Sequence, residues 1–201
     1  MTAAPFDRVS WPRRTARLGI RPATGEDLQA VFEIRTLPEV GRWMPERPTS
    51  YAAFVVRTGE LGLLPRTLVM ELDGVVIGDL YLRVSEAWSQ VDTADWAGEE
   101  AEIGWCLSPA HQGQGYVTEA ARELVRICFA DLAVRRITAA AFADNGPSLR
   151  IMERLGMRQE SYNVRDSLHR DLGWIDGVGY ALLADEWREP PGFGPVASAT
   201  Q

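Results

Sequence analysis

The chain has 201 residues, 46% of them hydrophobic, and a net charge of −7; that is enough for one domain with its own apolar core, and the sign is wrong for a binder of nucleic-acid phosphates. All 21 basic residues are arginine, which excludes a P-loop lysine and a Schiff-base lysine. No apolar run approaches the ~20 residues of a membrane span, Met1–Asp7 has neither the basic nor the apolar part of a secretory signal, and Cys106 and Cys128 make no disulfide framework, so a cytoplasmic protein without nucleic-acid or membrane partners is expected.

Residues 1–14 are polar and proline-punctuated and read as an arm, and Leu18–Arg21 reads as a short strand. Thr24, Asp27 and the apolar positions Leu28, Val31, Phe32 and Ile34 predict a capped helix, and a second helix is predicted over Ser50–Leu61. Leu68–Leu72 and Val75–Val84 form a hairpin around Asp73-Gly74. Glu86–Glu102 holds six acidic residues and no basic one and reads as an extended acidic loop. Then come a strand at Ile103–Leu107, a glycine-rich turn at Gln112–Val117, an amphipathic helix at Thr118–Ala130 and a strand at Arg136–Phe142. Asp144 or Asn145 caps a helix with Pro147 in its first turn and Gly156 past its end. A last pair of strands, Tyr162–Leu168 and Trp174–Leu183, flanks a turn at His169–Gly173, and the residues from Glu189 on are composed like a disordered tail. The order β-α-α-β-β-β-α-β-α-β-β is a mixed α/β (α+β) class with a mostly antiparallel sheet.

The turn Gln112-Gly113-Gln114-Gly115-Tyr116-Val117 carries the chemistry. Gly113 and Gly115 let the backbone turn tightly and approach a ligand, and the unpaired N–H groups of the following helix start form an anion cradle suited to a pyrophosphate. Alone, such a turn can equally be structural. A dinucleotide site is the rival reading, but its third glycine falls at Thr118, and Ser108–His111 intervenes after the strand.

Four segments in order resemble the GNAT N-acetyltransferase superfamily. Ala101–Leu107, then Ser108-Pro109 and Gln112–Val117, is similar to its acetyl-CoA motif; Phe142–Ser148 with Leu155-Gly156-Met157 is similar to the next one; Trp174–Leu183 and Thr15–Pro22 resemble the RimJ/RimL-like branch, named for ribosomal-protein N-terminal acetyltransferases. The resemblance spans residues 15–187, with an arm before and a tail from 188. It implies a sheet flanked by helices and splayed at the CoA-binding strand, which carries a bulge and binds the pantetheine arm through Trp105, Cys106 and Leu107. It further implies a pyrophosphate held by Gln112, Gly113, Gln114, Gly115, Tyr116 and Val117, with Asn145 on the pantetheine side. The implied reaction is transfer of an acetyl group from acetyl-CoA to a primary amine, a protein N-terminus or a small molecule, without a metal. Two positions depart from the pattern. Val117 stands where glycine or alanine is usual, which crowds the helix start, and Met152 stands where many members carry a tyrosine acid.

An α-amino group has a pKa of ~8, so the acceptor must lose a proton before attack. Glu102 is the candidate base, and its other reading is a solvent-facing carboxylate at a strand end. Ser148 is the candidate acid in place of the tyrosine, and its other reading is a first-turn serine satisfying backbone donors. Cys106 reads as an acyl carrier or as core packing, and His169 as a group facing the acceptor or as a plain turn residue. Trp43, Trp88 and Trp96 line an acceptor pocket or pack loops onto the core, and the acidic stretch either attracts a cationic acceptor or only keeps the surface solvated. A non-catalytic acyl-CoA-sensing domain is the alternative that Met152 motivates. The final hairpin and acidic loop offer a surface for a homodimer.

Overall fold

The computed structural model describes residues 5–91 and 99–188. They build one eight-stranded sheet flanked by helices on both faces. In chain order the strands are β1 (Arg13–Arg14), β2 (Gly19–Pro22), β3 (Thr67–Leu72), β4 (Val75–Glu86), β5 (Glu99–Leu107), β6 (Arg136–Phe142), β7 (Arg158–His169) and β8 (Gly173–Leu183). The helices are α1 (Leu28–Thr36), α2 (Pro38–Gly41), α3 (Tyr51–Glu60), α4 (Tyr116–Arg126) and α5 (Gly146–Arg154). The sheet order is β1-β2-β3-β4-β5-β6-β8-β7, and only β5 and β6 run parallel.

Strand alternation sorts the side chains into two layers. Leu68, Met70, Leu80, Leu82, Ala101, Ile103 and Ile137 bury one face against Ala120, Ala121 and Leu124 of α4 and Met152 of α5. On the opposite face Val69 packs with Val31 of α1 and Phe54 of α3, and Cys106 packs with Ile34 and Val40. Met152 is thus a fully buried core residue.

The parallel pair is short. β5 and β6 are in register only at Glu100–Arg136, Ala101–Ile137 and Glu102–Thr138, while β5 continues to Leu107 and β6 to Phe142. Beyond Glu102 the strands diverge, and the β6-facing backbone of Ile103–Leu107 has no strand partner. The splay expected from the resemblance is therefore present. The expected bulge in this strand is absent, because β4 and β5 pair without interruption from Gly78–Leu107 to Glu86–Glu99. The irregularity lies one strand over, between Met70 and Glu71, where β3 meets β4.

Several boundaries differ from the sequence reading. The stretch read as a loop from Glu86 to Glu102 belongs to β4 at its start and to β5 from Glu99 on; its centre, residues 92–98, lies outside the described residues. Alternation of Ala101 and Ile103 toward the core pulls the strand back through the acidic run. Three of its carboxylates also acquire arginines from elsewhere, with Glu99 on Arg8, Glu100 on Arg135 and Glu102 on Arg83. The expected arm is tied down as well. Phe6 and Val9 are buried in the main core, and Arg13-Arg14 pairs with β2. α4 begins two residues earlier than expected, at Tyr116, and ends in a π-helical turn over Ile127–Asp131.

Candidate active site

A cleft of about 1260 Å³ opens where β5 and β6 part. Its walls hold Glu102, Trp105 and Cys106 from β5, Ala139–Phe142 from β6, Asn145 and Ser148 at the start of α5, and Trp43 and Met44 from the segment after α2. Six of the residues singled out from sequence (Trp43, Glu102, Trp105, Cys106, Asn145 and Ser148) therefore share one cavity. Leu107, at the end of β5, and Gln112–Val117, in the turn and helix start that follow, are outside its walls. Trp88 is 90% exposed and lines nothing, and Trp96 lies outside the described residues.

The glycine turn has the backbone its sequence demands. Gly113 (φ 77°) and Gly115 (φ 82°) are both left-handed, a region closed to most side chains. Gly115 is the N-cap of α4, and Gln112–Gly115 are solvent-exposed. A Cβ at Gly113 would meet nothing within 4 Å, so the turn is open to solvent there. Tyr116 and Val117 turn their side chains into the main core. They offer the turn only backbone N–H groups, and Val117 does not crowd it.

Asn145 is the N-cap of α5. Its Oδ1 accepts the Ser148 N–H at 3.3 Å, which leaves its amide N–H groups free to donate toward the cleft. Glu102 is half-exposed, and its Oε2 sits 2.5 Å from Arg83 on β4. Next along this face, Tyr81 stands opposite Gly104, and Asp79 opposite Cys106. Asp79 is buried and paired with Arg35 of α1. Burial, reinforced by Asp79, pushes the Cys106 thiol well above its ordinary range. A thiol held protonated is no nucleophile, which leaves Cys106 as packing.

Sequence reading missed Arg35, Asp79, Tyr81 and Arg83. The alternation of β4 marks 79, 81 and 83 as one face, but only the register with β5 shows that this face borders the cleft. His169 is 2% exposed. Its Nδ1 accepts from the Asp171 and Leu172 N–H groups, so Nε2 carries the proton and donates to the Arg42 carbonyl at 2.9 Å. The ring also meets Trp43 and Phe142 edge-on. It is a clamp under one cleft wall, neither a plain turn residue nor an open acceptor contact. Among the described residues no cluster of His, Cys, Asp and Glu is arranged to hold a metal ion, and no helix is long and apolar enough to cross a membrane.

Comparison with known proteins agrees with this geometry. The family model "Acetyltransferase (GNAT) domain" matches residues 17–158. The uncharacterized N-acetyltransferase YnaD of Bacillus subtilis is 29% identical over 177 residues, covering 86% of this chain and 97% of that protein. A GNAT-family acetyltransferase structure from Bacillus anthracis superposes with a TM-score of 0.73 at 26% identity, covering 88% of this chain and 100% of the other. Mycobacterium smegmatis RimJ in complex with CoA-disulfide gives a TM-score of 0.68 at 25% identity, covering 88% and 87%. A splayed sheet with a glycine turn beyond the end of its parting strand, matched along most of its length to acetyltransferases, makes this chain a member of the GNAT family, an acyl-CoA-dependent N-acetyltransferase.

Proposed function

We propose that the donor is acetyl-CoA, that the acceptor is a primary amine on a peptide N-terminus or a small molecule, and that the two meet in the cleft between β5 and β6. The observation that carries this reading is the divergence beyond Glu102, which leaves one edge of β5 unpaired between the carboxylate at one end and the glycine turn at the other. The residues fit such a donor. An unpaired strand edge suits an amide-bearing arm, and an exposed turn with two left-handed glycines before a helix suits a pyrophosphate. Acetyl-CoA supplies an activated acyl group as its thioester.

In this reading the N–H groups of Gly113–Val117 bind phosphate oxygens, the Gln112 N–H being taken by the Pro109 carbonyl at 3.2 Å, and the free amide of Asn145 orients the arm. The N–H of Leu107, which strand alternation turns away from β4 to the open edge of β5, donates to the acyl oxygen, where negative charge develops. Glu102 takes the proton from the incoming ammonium. Ser148, whose side chain has no protein partner among the described residues, relays to the departing sulfur the proton that the attacking nitrogen loses as the amide forms, and so ends the step as a hydroxyl again. Met152, sealed in the core, has no part in proton transfer.

The test is a thermal scan with saturating acetyl-CoA, followed by thiol release over a panel of amines. A raised Tm and steady release are expected, since a ligand that binds only the folded state stabilises it. A raised Tm without release from any amine would point to an acyl-CoA sensor, and an unchanged Tm would remove the donor site.

A further inference from the structure

One charged residue touching the glycine turn comes from a distant part of the chain. Arg17, between β1 and β2, reaches Gln114 and donates from Nη1 to its carbonyl at 2.9 Å. Its Nε and Nη2 each lie 2.7 Å from Glu119 Oε2 in the first turn of α4. The guanidinium also stacks over the Tyr116 ring at 4.4 Å, and a Cβ built on Gly115 would stand 3.6 Å from Nη2. The arrangement is over-determined at its base. Glu119 takes a further bond from the Arg17 N–H at 2.9 Å and another from the Thr15 hydroxyl at 2.5 Å. Burial alone would raise the Glu119 carboxyl, but the hydrogen bonds from Thr15 and Arg17 outweigh it and hold it below its ordinary value.

We infer that Arg17 is a positioning residue for the donor's pyrophosphate. This rests on the donor site proposed above. Across a trans peptide the C=O and N–H point in opposite directions. Anchoring the Gln114 carbonyl on Arg17 therefore turns the Gly115 N–H the other way, away from the guanidinium. Gly115 is free to adopt several backbone conformations, so this amide needs an external hold. Arg17 also neutralises a carboxylate that would otherwise stand uncompensated one turn from the bound phosphates. Loss of the guanidinium removes both effects, and both act on the pyrophosphate while sparing the pantetheine arm.

The experiment titrates CoA and pantetheine, which lacks the pyrophosphate, into wild type and Arg17→Met. CoA affinity is expected to fall at least tenfold, with pantetheine affinity unchanged within twofold. Equal loss for both ligands would mean a merely structural role and overturn the inference, as would CoA binding within twofold of wild type. If Arg17→Met does not melt cooperatively, Arg17→Lys takes its place. Lysine keeps the charge but cannot span Gln114 and Glu119 together, so a several-fold loss confined to CoA is expected, and equal CoA affinity overturns the proposal. If wild type itself fails to bind CoA, the donor-site reading falls first.

Discussion

At the scale of single residues, the partner of a side chain decides its chemistry. Glu102 is not a lone carboxylate awaiting a substrate, because Arg83 already holds it at 2.5 Å. An ammonium entering the cleft competes with that guanidinium, and accepting its proton breaks an ion pair at a half-exposed site, where such pairs are weak. For Glu102→Gln we expect kcat at pH 7 to fall by about 100-fold and to recover partly toward pH 9, where the amine is neutral without help. A kcat–pH profile superposable on that of wild type would confine Glu102 to its bond with Arg83. Cys106 shows the same rule from the other side. It shares a strand face with Glu102, yet burial beside Asp79 removes its nucleophile.

At the scale of elements, the site depends on how β4 lies between its neighbours. β4 must follow β5 without a break while absorbing the irregularity against β3. Gly78 sits at that junction. A Cβ there would lie 2.3 Å from the Cys106 carbonyl oxygen and 2.6 Å from the end of Met70. Met70 is fully buried, and the carbonyl is backbone of the strand that borders the cleft, so it cannot yield without moving that strand. Gly78→Ala is expected to destabilise the fold by about 2 kcal/mol through overpacking, measured by urea unfolding, and to weaken CoA binding by shifting the β5 edge. A loss under about 0.5 kcal/mol, the range of neutral surface substitutions, would show that β4 and β5 separate more easily than this packing implies. The acidic run belongs to this scale too. Its composition read either as an attractive rim or as a solvated surface; the strands carry Glu99, Glu100 and Glu102 to three arginines, which offsets the field of those three carboxylates.

At the scale of the whole molecule, the last hairpin closes the structure around the cleft. His169, at the end of β7, reaches the segment after α2, over 120 residues earlier. Arg170 adds a bond to the Met44 carbonyl at 2.9 Å. These contacts hold Trp43 and Met44 as one wall of the cavity. His169→Ala leaves a void between Trp43 and Phe142 and strands two backbone N–H groups, at an expected cost of about 3 kcal/mol by urea unfolding. The wall it supports lies away from the glycine turn, so KM should rise for the amine more than for acetyl-CoA. A rise confined to acetyl-CoA would move this wall to the donor side.

Much of the molecule was legible in one dimension because it depends on local rules. Asp73-Gly74 specifies a tight hairpin, Gly113 and Gly115 a left-handed turn, Asn145 with Pro147 a helix start, and Gly156 a helix end, each through the backbone of a few adjacent residues. The order of strands and helices followed from those signals, and the family from four motif segments standing in the right order. The pairings that give the site its chemistry were set only by the folded chain. Arg83 meets Glu102, Arg35 meets Asp79, Arg17 holds Gln114, and His169 clamps Arg42. Each joins residues far apart in sequence, and nothing in the local periodicity of either partner encodes strand register or the packing of α1 and α2 on the sheet. Sequence fixes a residue's own backbone preferences and its face, whereas the neighbour that sets its charge and freedom is chosen when the core closes.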